Sequence, residues 1–228
     1  MLIILTGKSG VGKSTIEKYL LKEKGFKRII TYTTRPKRKR EKNGSHYFFV
    51  DDYNFNSMKE KGNFFETVDR DTIVDNKLVT WHYGSPKEKL NSDKDYIIVL
   101  DYDGAEKYIE QYGLSQCFVV NLTLNEKIRK ERVERRSTFS EAEWIERCER
   151  DNKQFDGREN ISNFTLDTFG MSIEDVTFAI ISALDEYKKN ARGDYRQVKI
   201  KRELCHTVYW EQPEVMYIPE YTFIDDKK

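Results

Sequence analysis

Eight residues near the start of the chain, Gly7-Lys8-Ser9-Gly10-Val11-Gly12-Lys13-Ser14, have the types and spacing of a phosphate cradle, G-x-x-x-x-G-K-[ST]. Gly7, Gly10 and Gly12 open backbone conformations closed to other residues, so that successive N–H groups and a helix N-terminus can converge on phosphate oxygens. Lys13 adds a charge that reaches the β- and γ-phosphates of a triphosphate, while Ser14, followed by Thr15, offers a hydroxyl to Mg²⁺. The chemistry implied is triphosphate binding and phosphoryl transfer. The bland alternative is a glycine turn with a surface lysine. Against it stands the placement of the string, directly after the apolar run Leu2 to Leu5 and before a helix-like stretch from Lys13 to Lys24.

A second constellation begins at Thr31-Tyr32-Thr33-Thr34-Arg35-Pro36-Lys37-Arg38 and continues through Gly44, Tyr47, Glu66 and Tyr83-Gly84-Ser85. Arg35 and Arg38 can fork onto phosphate oxygens, and Pro36 fixes the chain between them so that less ordering is needed on binding. A solvated basic run is the rival reading for Lys37 to Arg40, and it is preferred for Lys39 and Arg40. Ile97 to Leu100 is an apolar run ending in Asp101, the strand end where ligands sit in open α/β sheets. Arg132, Arg135 and Arg136 cluster before a short polar connection, and Arg147 and Arg150 follow at a spacing of three, on one helix face. Surface ion pairing with Glu131, Glu134 and Glu149 is the preferred account of Arg132 and Arg150.

In this order the motifs resemble those of the guanylate kinase family, over roughly residues 2 to 185. The resemblance implies ATP as phosphoryl donor with Mg²⁺, and GMP or dGMP as acceptor. It implies that Thr31, Arg35, Arg38 and Tyr47 hold the acceptor's phosphate, and that Glu66 and Ser85, beside Tyr83, read its base. Asp101 would order Mg²⁺ through water and Asp103 would steer the acceptor phosphate, while Arg136 and Arg147 match the lid arginines that close over the transferring group. Direct in-line transfer in a ternary complex, without a phosphoenzyme, is the implied path. Two departures stand out. Asp103 runs straight into Gly104, and residues 67–82 make the interval between Glu66 and Tyr83 longer than the family's. Alternatives are a relaxed deoxynucleoside monophosphate kinase, a sugar-phosphate kinase of related fold, or a non-catalytic binding module for phosphopeptides. An intact Gly12-Lys13-Ser14 speaks against the last.

These residues need elements to position them. Short apolar runs at Leu2 to Leu5, Ile97 to Leu100 and Phe118 to Val120, each followed by a helical pattern, predict an α/β fold, a three-layer P-loop architecture with a parallel sheet and crossover helices. Thr123 with Glu126, Ser140 with Glu143 and Ser172 with Asp175 read as helix-starting caps, predicting helices near 124–136, 141–155 and 173–189. Ile73-Val74 and Leu78-Val79 flank Asp75-Asn76-Lys77 like a hairpin, within a small β-containing, nucleotide-binding lobe inserted at about 32–85. A helical lid is expected at about 135–150. The whole unit spans 1–190, and 191–228 reads as an extension of unknown role with one or two added strands, a possible seat of self-association.

Composition bounds the rest. Among 228 residues, 40 basic against 39 acidic side chains leave a net charge of +1, so the overall field argues for no nucleic-acid or membrane partner. Met1 to Thr6 is too short for a signal segment or membrane span, and the chain is expected in the cytoplasm. Cys117, Cys148 and Cys205 lie far apart without a C-x-x-C pair, and His46, His82 and His206 are isolated. Neither a disulfide framework, a zinc site nor a histidine base is indicated.

Overall fold

The computed structural model describes residues 1–39, 41–74, 77–91, 93–135 and 140–190. In chain order the elements are β1 (Leu2–Thr6), α1 (Lys13–Glu23), β2 (Lys27–Arg28), β3 (Tyr32–Thr33), β4 (Phe48–Phe49), α2 (Asp52–Glu60), β5 (Phe64–Val74) and β6 (Lys77–Pro86). They continue with β7 (Tyr96–Val99), α3 (Tyr102–Tyr112), β8 (Cys117–Thr123), α4 (Glu126–Glu134), α5 (Glu141–Phe155), β9 (Phe164–Asp167) and α6 (Ile173–Asn190).

Two sheets result. The larger is parallel throughout in the order β2-β7-β1-β8-β9, which the alternation of apolar runs and helices anticipates. Its central strand β1 is buried along its length because helices cover both faces. Ile3 and Leu5 pack towards α1 and α6, against Leu20, Ile180 and Leu184. Leu2 and Ile4 pack on the other side with Ile98, Ala105 and Tyr108. Each such aliphatic side chain contributes about 1.5–3 kcal/mol by leaving water, and together they fix where β1 releases the chain into the glycine-rich loop.

The smaller sheet runs β4-β3-β6-β5, with β5 and β6 paired antiparallel from Glu66↔Ser85 to Val74↔Lys77. This is the hairpin read from the sequence; its tip, Asp75 and Asn76, lies outside the described residues. Helix α2 is seated on this sheet by Phe55, whose ring stacks on Phe64 and His82 at 5.0 and 5.5 Å. Asp51 starts α2 by accepting from the Asn54 amide at 2.7 Å.

Of the three helix-starting caps expected, the structure supports one and corrects two. Ser172 and Asp175 form the reciprocal cap at α6, each accepting from the other's amide, at 3.1 and 3.2 Å. Thr123 does not cap α4: it remains in β8, because that strand pairs with β9 as far as Asp167, and Asn125 caps the helix by accepting from Lys127 N at 2.9 Å. Ser140 stands at the start of α5 without a side-chain cap bond. Among the described residues no helix is long and apolar enough to cross a membrane. The strands and self-association expected within 191–228 lie outside the described residues.

Candidate active site

Between β1 and α1 the loop turns on Gly7, Gly10 and Gly12, with φ of 134°, 82° and 114°. L side chains rarely adopt such values. A Cβ on Gly7 would also stand 2.4 Å from the Leu122 carbonyl oxygen of β8, so the loop is pressed against the sheet. Lys13 opens α1, and its ammonium donates to the carbonyl oxygens of Gly7 and Lys8, bending back over its own loop. Burial lowers its pKa from 10.5 to about 8, although the Asp151 carboxylate pulls the other way. Ser14 and Thr15 are exposed on the first turn of the helix.

Helices α4 and α5 brace this loop from outside. Arg129, 3% exposed, donates to Leu124 O at 3.2 Å and to Ser9 O at 2.9 Å. Arg132 donates to Val11 O at 3.0 Å, so it supports the phosphate loop and is not the surface ion-pairing residue that the sequence reading preferred. From α5, Asp151 accepts from the Ser9 amide at 2.6 Å and its hydroxyl at 3.3 Å, while Lys8 donates to Asn152 and, just past the helix, Asp156. Arg129 and Asp151 were not singled out from the sequence. Their partners lie 120 and 142 positions away, and only the packing of α4 and α5 on the loop reveals them.

Arg147 and Arg150 follow along α5, both half-buried; Arg150 makes a helix-surface ion pair, but with Glu146 at 3.4 Å, one turn back, and not with the Glu131, Glu134 or Glu149 that the sequence suggests. Arg136 lies outside the described residues.

On the smaller sheet, Arg35 is fixed by its neighbours. It is 5% exposed, with Nη2 donating to Glu41 Oε1 at 2.7 Å and Nη1 to Pro36 O at 2.9 Å. Its guanidinium lies 5.5 Å over the Tyr47 ring, and Tyr47 meets Tyr83 edge-on at 6.1 Å. Thr31 accepts through its carbonyl from Phe48 N at 2.9 Å, which ties it beside β4. Arg38 is exposed, its amide donating to the second Glu41 oxygen at 2.8 Å. Glu41 therefore organises both arginines, a role the motif alone did not disclose.

Glu66 and Ser85 face each other across β5 and β6, and each is 6% exposed. With strand period two, Val68 and Tyr83, then Arg70 and Trp81, continue the same face. Glu66 Oε2 is buried without a hydrogen-bond partner. A buried polar atom left so is costly and marks a place where a donor belongs. Burial, then the Asp101 carboxylate, raise the Glu66 pKa from 4.5 to about 7. A glycine is required where Glu66 meets α3: a Cβ on Gly104 would lie 2.4 Å from Oε2. The Asp103-Gly104 juxtaposition thus has a packing reason.

Asp101 follows β7 and caps α3, accepting from Gly104 N at 3.1 Å. Its charge acts on both Lys13 and Glu66, so Asp101 lies near both the phosphate loop and the Glu66 face. Asp103 is engaged elsewhere: Gln154 and Arg158 each donate to it at 2.7 Å. Burial alone would raise its pKa, but these two bonds outweigh that and hold it below the usual value.

Comparison with known proteins follows the same architecture. The family model described as guanylate kinase matches residues 1–187. The guanylate kinase of Caldanaerobacter subterraneus subsp. tengcongensis is 35% identical over 152 residues, covering 64% of this chain and 69% of that protein. The guanylate kinase of Clostridioides difficile is 36% identical over 148 residues, covering 63% and 68%. Among solved structures, guanylate kinase from Anaplasma phagocytophilum shares the fold, with a TM-score of 0.54 at 24% identity over 84% of this chain and 88% of that one. Because the matched span runs from β1 into α6, the likeness is one of the whole domain and not of the phosphate loop alone: the chain belongs to the guanylate kinase family.

Proposed function

We propose that the protein transfers the γ-phosphoryl group of ATP to the phosphate of GMP, or of dGMP, in one in-line step. The observation that carries this reading is the buried, unpartnered oxygen of Glu66 beside Ser85, with Asp101 near both it and Lys13 of the phosphate loop. Guanine brings N1–H and N2–H₂ donors that a carboxylate can accept, and an O6 to which a hydroxyl can donate. Arg35, with Tyr47, Tyr83, Thr31 and Arg38 around it, takes the acceptor's phosphate. Gly7, Gly10, Gly12, Lys13 and Thr15 take the donor's.

The donor set fits a hard cation. Among the described residues no three His, Cys, Asp or Glu side chains gather to hold a metal. Ser14 and Asp101 supply a hydroxyl and one carboxylate, the sparse oxygen set of a Mg²⁺ held chiefly by nucleotide phosphates and water. When bound, Mg²⁺ neutralises charge on those phosphates. The acceptor phosphate is already ionised near neutral pH, so the residues need only position and stabilise. The substrates are cytoplasmic nucleotides and Cys117 and Cys148 are free thiols, and we assign the protein to that compartment.

A coupled ADP-release assay against GMP, dGMP, AMP, CMP, UMP and no acceptor tests the reading. ADP release that depends on GMP is expected; ATP binding without turnover of any nucleotide would leave a binding module instead.

The lid assignment gives a kinetic expectation. Arg147→Ala should lower kcat at least about tenfold while changing the KM for GMP less, because contacts to the transferring group strengthen as charge spreads over its oxygens. A rise in KM alone would make Arg147 a ground-state binder.

Glu66 gives a pH expectation. Its carboxyl is protonated below about 7 in the free protein and must ionise to accept two donors, so GMP binding releases a proton there. Affinity for GMP should rise with pH up to about 7, by up to about tenfold per unit, and then level off. Calorimetry from pH 5.5 to 8.5 reads this, and Glu66→Gln, which cannot titrate, separates it from the acceptor phosphate's own ionisation. Identical pH profiles in the two proteins would show that Glu66 does not ionise on binding.

A further inference from the structure

The long β5–β6 hairpin carries, on its Glu66 face, a cation that the family motifs do not include. Arg70 lies four residues beyond Glu66 on the same strand and the same face, a separation of about 13 Å at the strand rise per residue. That places it towards the phosphate end of a nucleotide whose base is read at Glu66. It is half-buried, and its guanidinium makes no ion pair or hydrogen bond among the described residues. Instead it rests 5.6 Å over the Tyr83 ring, the ring that meets Tyr47 in the acceptor-phosphate cluster.

Its neighbours from other elements are mostly cations. Lys13 of α1 and Arg150 of α5 both feel Arg70 as a like charge that lowers their pKa, in each case after the larger effect of burial. Arg129 acts on Lys13, and Arg147 on Arg150, in the same sense. The facing carboxylates are Glu66, Asp101 and Asp151, with Glu146 beside Arg150. Of these, Asp151 is held by Ser9 and pairs with Arg129 at 3.8 Å, Asp101 caps α3, Glu146 pairs with Arg150, and Glu66 sits at the base end. Arg70 of β5, Lys13 of α1 and Arg150 of α5, drawn from three separate elements, repel one another unless an anion joins them. The point where they converge lies between the donor's loop and the acceptor's phosphate.

We propose that Arg70 is a further catalytic cation, contacting the phosphoryl group as it passes from ATP to GMP. In that step the bond from the γ-phosphorus to the β–γ bridging oxygen breaks, a GMP phosphate oxygen forms the new bond, and ADP leaves with the electron pair. Arg70 approaches the in-flight group from the acceptor side, whereas Lys13 and the α5 arginines approach from the donor side. The lengthened hairpin supplies a charge from a lobe that otherwise only binds. This inference rests on the GMP kinase reading.

The test is steady-state kinetics of Arg70→Ala, Arg70→Gln and Arg70→Lys with ATP and GMP, beside the unaltered protein. Arg70→Ala and Arg70→Gln should lower kcat by about ten- to a hundredfold while the KM for GMP moves less than about threefold. Arg70→Lys should recover part of the loss, and guanidinium added below denaturing concentration should raise kcat of Arg70→Ala but not of the unaltered protein. Unchanged kcat, a defect confined to KM, or no rescue by lysine or guanidinium would overturn the proposal. Thermal melting identifies a variant that fails to fold, in which case Arg70→Lys and Arg70→Gln decide. Turnover of GMP by the unaltered protein separates failure of this inference from failure of the kinase reading.

Discussion

Replacing Lys13 with alanine should lower kcat/KM for phosphoryl transfer by at least about a hundredfold, the usual scale for removing a transition-state contact to the transferring group. The fold should be nearly untouched. Among the described residues the ammonium bonds carbonyl oxygens of its own loop, Gly7 and Lys8, and no element of the core depends on it. The loop itself is held by other means, through Arg129, Arg132 and Asp151. Because burial brings the Lys13 pKa down to about 8, the free protein carries a partly neutral amine at mildly alkaline pH, and triphosphate binding restores its charge. Steady-state kinetics with circular dichroism and a melting curve separate the two effects. A purified Lys13→Ala protein with near-normal turnover would remove the phosphate-loop assignment.

The second large effect concerns the base. Adenine turns an N1 acceptor towards the Glu66 carboxylate, which is left without a donor, whereas the Ser85 hydroxyl accepts as well as donates and adapts to N6. Each unmet buried group costs about 1–3 kcal/mol, more when charged, and sites built on such pairing discriminate by roughly 10⁴ or more. GMP should therefore exceed AMP in kcat/KM by about that factor. Glu66→Gln should shrink the ratio chiefly by harming GMP, because the amide keeps one acceptor and turns the other into a donor. Measuring kcat/KM for both nucleotides in both proteins checks this. A ratio unchanged by the substitution would show that the base is read elsewhere.

Much of this architecture was legible in the sequence because it is local. The apolar run Leu2 to Leu5, the glycines and Lys13 follow one another along ten or so residues, so strand, loop and helix are read together. Ser172 and Asp175 announce α6 for the same reason, since both partners of the cap lie within one turn. Thr123 has the same spacing from Glu126 yet fails, because the pairing of β8 with β9 keeps it extended. Sheet pairing over forty residues outranks a local cap. Arg132, Arg129 and Asp151 escaped for a related reason. A charged side chain on a polar helix looks like a solvated one until the helix is known to lie against a loop. Glu66 and Ser85 were named from the order of motifs, whereas the unpartnered oxygen that gives Glu66 its meaning comes from burial between β5 and the start of α3.

The most direct measurement follows the phosphoryl group itself. With ATP labelled at the γ-position, Mg²⁺ and GMP, the label should appear at the β-position of GDP in amounts equal to the ADP formed. AMP in parallel should yield orders of magnitude less labelled product. Release of label as inorganic phosphate without GDP, or equal labelling of GMP and AMP, would contradict the account.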